Sequence, residues 1–311
     1  MNEPYVVLHG GFHKTATSHI QSTLGRNENM LRKKGVSYVH HRETRKELTV
    51  PCQLYVYEQQ GLNYRTKYND AELAEKTGAF FADILKDRPK RLILSEENMA
   101  GHCGHCVKRG LLYVWRDQLV STFARQFPMP VQEVHLGIRN YADFFASAYI
   151  EYLRSLGPGR FTDEPTMRKR VLEHMPSWHK TLKAVMAAFP QASLTVWTFE
   201  DFRALDTRIL ANLIGSDVEA GKLKPPNTKN KRPSASGRAV AELLQLIHRE
   251  GVESAMAQRV ELQEKYPRGP EYAGYDPWTA RERAHLGKIY ARDVEAIRND
   301  PEINMLSVEY A

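Results

Sequence analysis

The chain has 311 residues, 42% of them hydrophobic and 26% charged, with a formal net charge of +7. That length supports one sizeable α/β core with a helical addition, and no run reaches the roughly 18 apolar residues of a membrane span. Three cysteines (Cys52, Cys103, Cys106) are too few and too unevenly placed for a disulfide framework, and the N-terminus enters a strand directly without a signal-peptide pattern, so a reducing, cytoplasmic compartment is expected. The basic balance suits an anionic ligand as well as it suits an ordinary basic surface.

The first apolar run, residues 5–8, reads as a strand and is followed at once by HGGFHKTATSHIQSTL. Two glycines, a lysine and three hydroxyls ahead of a helical pattern are what an anion at a helix N-terminus requires. A Walker A loop would have glycine before the lysine, where His13 stands, and its first glycine where Leu8 stands. The loop still offers backbone N–H groups across Phe12, His13, Lys14, Thr15, Ala16, Thr17 and Ser18, together with the Lys14 ammonium and the hydroxyls of Thr15, Thr17 and Ser18. The helix is expected over 17–34, stopped by Gly35.

Residues 36–39 form the second expected strand, and Leu73, Thr77, Phe80, Phe81 and Ile84 mark one face of a helix. The strand 91–94 ends in Ser95-Glu96-Glu97 rather than in a Walker B aspartate. In GHCGHC, residues 101–106, the pairs Cys103/Cys106 and His102/His105 put four soft ligands within five residues. Such crowding prevents all four from pointing inward, so no metal is expected and the stretch reads as a loop. Leu112, Trp115, Leu119 and Phe123 line the next helix, and Val134, Leu136 and Ile138 alternate along a strand.

That strand opens IRNYADFFASAY and a helix over 141–156, stopped at 157–159. Arg139 stands at the strand's C-terminal end, where open α/β sheets place ligands, and Ser147 lies a little over two helical turns on; an arginine fork and a hydroxyl there can converge on one phosphate. Trp178, Leu182, Val185 and Phe189 give a further helix face before a strand at 193–199. Residues 215–237 are polar, basic and Pro-containing, hence a loop or lid, and the last third is helical. Strands separated by helices predict an α/β fold, a mostly parallel sheet flanked by helices. The chain reads as one domain over 1–311, with its core at about 4–240 and a helical part at about 241–311.

Read together, FHKTATS and RNYADFFASAY resemble the two motifs of sulfotransferases that use 3′-phosphoadenosine-5′-phosphosulfate (PAPS), in order and about 125 residues apart. Lys14, Thr15, Thr17 and Ser18 match the 5′-phosphosulfate loop, and Arg139, Asn140, Asp143, Ser147 and Tyr149 match the 3′-phosphate motif, while Ala16 replaces a glycine and Tyr141 a proline. The resemblance covers about residues 4–240, is nearer to the soluble bacterial branch, and implies a P-loop NTPase-like fold. It implies PAPS as donor and PAP as product, with Lys14 neutralising charge on the bridging oxygen and Thr17 and Ser18 on the 5′-phosphate. Asn230, Lys231, Arg232 and Ser234 would close over the nucleotide.

Sulfuryl transfer is a matter of in-line positioning and charge stabilisation, and a sulfuryl group carries less charge than a γ-phosphoryl group, so no metal is invoked. Glu97 is the expected base toward an acceptor hydroxyl, of a carbohydrate or small molecule, with Glu96 and His102 as alternatives. A nucleotide-dependent small-molecule kinase with a degenerate P-loop is the alternative reading. A nucleic-acid-binding protein ranks below both, because no recognition helix or aromatic-basic motif is present.

Overall fold

The strands are near-continuous apolar runs because they are covered from both sides, as parallel strands joined by crossover helices must be. The computed structural model describes residues 3–157, 161–227 and 234–308. β1 (Tyr5–His9) leads through α1 (Thr17–Arg26) and α2 (Glu28–Lys33) to β2 (Val36–Val39). Then α3 (His41–Thr44), a π-helical turn (Arg45–Thr49), α4 (Val50–Gln59) and α5 (Asp70–Leu85) precede β3 (Arg91–Ser95). The chain continues through α6 (Cys103–Arg109) and α7 (Arg116–Ala124) to β4 (Glu133–Ile138). Next come α8 (Tyr141–Arg154), α9 (Glu164–His174) and α10 (Trp178–Ala188), which lead to β5 (Ser193–Thr198). Finally α11 (Phe202–Ile214), α12 (Gly237–Glu250), α13 (Val252–Lys265) and α14 (Ala280–Arg298) are followed by β6 (Ile303–Met305).

The six strands form one sheet in the order β2-β3-β1-β4-β5-β6, with every pair parallel. Alternate residues serve opposite faces: Val6 and Leu8 pack with α5, α7, α8 and α10, whereas Val7, Ile93 and Trp197 pack with α1, α2 and α11. From β1 the chain crosses outward to β2, and from β4 it crosses the other way to β5. The crevice at the C-terminal ends of β1 and β4 is therefore the switch point where such sheets bind ligands. Among the described residues no helix is long and apolar enough to cross a membrane.

Three elements differ from the sequence expectation. The stretch 101–106, expected as a loop, enters α6 at Cys103, because His102 caps the helix by accepting from the Gly104 N–H at 3.1 Å. The helix expected over 17–34 breaks at Asn27, whose side-chain amide donates to the Thr23 carbonyl at 2.7 Å and to the Lys224 carbonyl at 2.9 Å, while its oxygen accepts from the Lys224 N–H at 2.9 Å. That side chain serves a long-range contact, which periodicity does not report. The last third is not purely helical either. β6 adds a strand beside β5, and its three residues, Ile-Asn-Met, are too short to display a period.

The C-terminal helices are tied into the sheet's upper edge. Asp293 of α14 accepts from the Tyr141 hydroxyl at 2.5 Å, the Ser177 hydroxyl at 2.8 Å and the His179 N–H at 3.0 Å. Ser236 caps α12 and donates to the Tyr266 carbonyl at 2.6 Å, and bridges at Ala235–Pro267 and Ser236–Gly274 hold the 266–274 turn against that cap.

Candidate functional site

After His9 the chain must turn tightly under Met99 and Leu136. A Cβ on Gly10 would stand 2.5 Å from the Met99 methyl, and one on Gly11 2.5 Å from the Thr17 hydroxyl, so neither position admits a larger residue without movement. Lys14 and Ala16 adopt left-handed backbone, at φ 65° and 67°. The alanine holds without a glycine's freedom the conformation a glycine would take readily. The Thr15 hydroxyl donates to the Phe12 carbonyl at 2.6 Å and the Thr17 hydroxyl to the same oxygen at 3.3 Å. Phe12, Thr15 and Thr17 are buried, and Ser18 is exposed on the first turn of α1. Among the described residues no side chain caps α1, so its first N–H groups are open to an external acceptor.

His13 is an internal tie rather than a solvent-facing group. Its Nε2 lies 2.9 Å from Asn98 Oδ1, and both its backbone N–H and its Nδ1 lie 3.1 Å from the Tyr113 hydroxyl. An amide oxygen only accepts, so this network assigns the proton to Nε2 and lets Nδ1 accept from Tyr113. Burial pushes the imidazole down to about 4 and keeps it neutral.

The second anion segment meets the first. Arg139, just past β4, donates from Nη1 to the Lys14 carbonyl at 3.0 Å, and its guanidinium lies 4.3 Å from the Phe199 ring centre. Its Nε is buried with no partner among the described residues. Burial holds the guanidinium below its ordinary value. Arg139 and Ser147 open into a cleft of about 290 Å³ that is also lined by Ser234, Arg268, Tyr275 and Arg283. Arg283 is satisfied by Asp143 at 2.9 Å and Asp276 at 2.8 Å, whereas Arg268 forms no ion pair among the described residues. Asn140 caps α8 through the Ala142 N–H at 3.0 Å, and the Tyr149 hydroxyl donates to the Thr162 carbonyl at 3.2 Å, so both serve the fold.

Glu96 and Glu97, adjacent in sequence, part company at the end of β3. Glu96 is fully buried: its Oε1 accepts from Nε and Nη2 of Arg45 at 3.1 Å and from the Asn98 N–H and side-chain amide at 2.8 Å, while Oε2 has no partner among the described residues. Burial pushes its carboxyl up to about 7 against the pull of Arg45 and Asn98. Glu97 stays partly open and meets Arg45 Nη2 at 3.3 Å. His102 spends its Nδ1 capping α6 through the Gly104 N–H at 3.1 Å, and its ring centre lies 6.0 Å from that of His13. Cys103 and Cys106 are buried thiols, and among the described residues no three His, Cys, Asp or Glu side chains gather as a metal set.

Lys14 itself reaches across to α8, where its Nζ lies 2.8 Å from Glu151 Oε2. Asn230, Lys231 and Arg232 lie outside the described residues. Next to that stretch, the Asn227 N–H donates to Ser22 of α1 at 2.9 Å, and Ser234 lines the cleft.

The sequence gives no local sign of Arg45, Glu151, Arg268 or Arg283 as parts of this site. Arg45 lies in a π-turn between helices, and Arg268 and Arg283 arrive from the helical part. Glu151 is the partial exception, since it falls one turn after Ser147 on the same helix face.

Several imidazoles are buried or half-buried and held neutral. Burial pushes His9 down to about 3, and His41 and His105, like His13, to about 4. An unfolded histidine takes up a proton near pH 6.5 and these folded ones do not, so the stability they lend is present above that pH and is lost as pH falls toward 4. Glu96 works the other way, gaining stability as pH falls from 7 to about 4.5, but it is one group against four. The melting temperature should therefore be lower at pH 5 than at pH 7.5; an equal or higher value at pH 5 would show that these imidazoles take up protons in the folded state.

The sequence matches no protein-family model and no curated protein. Among solved structures, the chain is similar to a sulfotransferase from Alicyclobacillus acidocaldarius, with a TM-score of 0.42 and 13% identity over 87% of this chain and 98% of that one. It is also similar to the signal recognition particle receptor FtsY from Elizabethkingia anophelis in complex with GDP, with a TM-score of 0.30 and 12% identity over 73% of this chain and 62% of that one.

Proposed function

We propose that this chain is a sulfotransferase that moves the sulfuryl group of PAPS to an acceptor hydroxyl of a carbohydrate or small molecule. The observation that carries the reading is Arg139. Its guanidinium is half-buried, with an enclosed Nε that has no partner among the described residues; it faces the cleft shared with Ser147 and Arg268 and is bonded to the carbonyl of Lys14. An enclosed donor on a cation that lacks an acceptor is costly, and an anionic ligand in the cleft supplies one. One residue thus joins the two halves of a site for a ligand with two anionic ends.

The residues present fit PAPS. Arg139, Ser147 and Arg268 take the 3′-phosphate, with Asn230, Lys231 and Arg232 assigned to the same group from sequence. The uncapped start of α1 at Thr17 and Ser18 and the backbone from Phe12 to Ala16 take the 5′ end. PAPS supplies an activated sulfuryl group on its phosphate. Lys14 neutralises the negative charge that grows at the 5′ end, and Glu97 accepts the proton of the acceptor hydroxyl.

Calorimetry with the product nucleotide PAP tests this. PAP should bind much more tightly than 5′-AMP, and Arg139→Ala should remove about 2–4 kcal/mol of that preference, the scale of lost charge-assisted contacts. Equal binding of the two nucleotides would overturn the assignment. Thermal stabilisation by ATP with magnesium but not by PAP would favour the kinase alternative.

A further inference from the structure

We infer that Glu151 is the counter-ion that Lys14 exchanges for the anionic end of the donor, and that this carboxylate is a positioning residue setting how tightly the loop holds its ligand. The inference rests on the donor reading above for the identity of the ligand, and on geometry for the exchange itself.

Three observations support it. First, Lys14 Nζ and Glu151 Oε2 are 2.8 Å apart, with the two side chains 24% and 26% exposed, so the pair sits in the mouth of the site rather than in bulk water. Second, the Lys14 backbone has little freedom to slide. Its φ is 65°, Arg139 holds its carbonyl at 3.0 Å, and Tyr113 holds the preceding N–H at 3.1 Å. Any change of partner must come from the lysine side chain alone. Third, Ser147 and Glu151 stand one turn apart on α8, so a single helix faces the phosphate cleft with one residue and the lysine with the next.

An ammonium has three donors but one charge, and an anion seated at the start of α1 competes with Glu151 for it. Before the ligand arrives, Glu151 keeps Lys14 extended and paired. On arrival the pair must loosen, and its loss is subtracted from the binding energy. Arg154, whose Nη1 lies 3.5 Å from the same Oε2, remains to hold the released carboxylate.

A double-mutant cycle read by calorimetry separates this from a mere change of net charge. Glu151→Gln should bind PAP about fivefold more tightly than the unmodified chain, the scale of a partly exposed ion pair. In a Lys14→Met background the same substitution should change PAP affinity less than 1.5-fold, and Glu151→Asp, one methylene shorter, should fall between Glu151 and Gln. An unchanged or weaker affinity for Glu151→Gln, or an equal gain in the Lys14→Met background, would overturn the inference. Inorganic pyrophosphate is the second probe. If it shows the same coupling while PAP and 5′-AMP bind alike, the exchange stands and the donor reading falls. If the unmodified chain binds neither PAP nor pyrophosphate, both fall.

Discussion

Glu97→Gln should lower sulfuryl transfer by about 10²–10⁴-fold while leaving PAP affinity within about twofold, because amide and carboxylate share a shape but only the carboxylate takes a proton. The choice between the two neighbouring carboxylates follows from their surroundings. Glu96 is enclosed, with four donors on one oxygen, and reaches Arg45 and Asn98 rather than the loop. Glu97 keeps a solvent-facing side and shares only the edge of the same guanidinium. Glu96→Gln should therefore act on stability, visible in a melt, and far less on turnover of the folded fraction. A Glu97→Gln protein that keeps most of its activity, with the loss instead at Glu96 or His102, would move the base to that residue and leave the donor reading intact.

Lys14→Ala should lower turnover by about 10²-fold or more, with a smaller effect on PAP binding. Its charge matters most where negative charge develops, and in the resting protein much of that charge is already answered by Glu151. Activity of the unmodified chain should persist in EDTA. Turnover that required magnesium, with ATP as donor, would transfer the site to phosphoryl chemistry.

Five of the six strands were legible, as was the placement of the segments after β1 and β4 at one edge of the sheet, because each is local. Val134, Leu136 and Ile138 alternate, and Arg139 follows them directly, so its place at the sheet's upper edge needs no knowledge of the rest of the chain. The loop's chemistry was only half legible. Counting hydroxyls credits Thr15 and Thr17 with ligand roles, whereas their side chains turn to the Phe12 carbonyl, a choice made by packing against Gly11 and Gly137. Arg45, Arg268 and Arg283 were not legible, since each reaches the site by tertiary contact from an element whose sequence shows only an ordinary helix or turn, and Glu151 only in part, through its place one turn after Ser147. The adjacent Glu96 and Glu97 could not be told apart by composition; the full burial of one and the partial exposure of the other are properties of the folded edge.

The docking of α14 has a bearing on how the protein is made. Arg139 and Ser147 leave the ribosome long before the groups that complete their surroundings. The contacts Asp143–Arg283 and Tyr141–Asp293 join positions 140 and 152 apart in the chain. Closure over such spans is slow, and a nascent chain lacking them exposes a basic crevice and the bare edge of β5. Affinity of that crevice for an anion would thus be acquired late in biosynthesis, once α14 has docked.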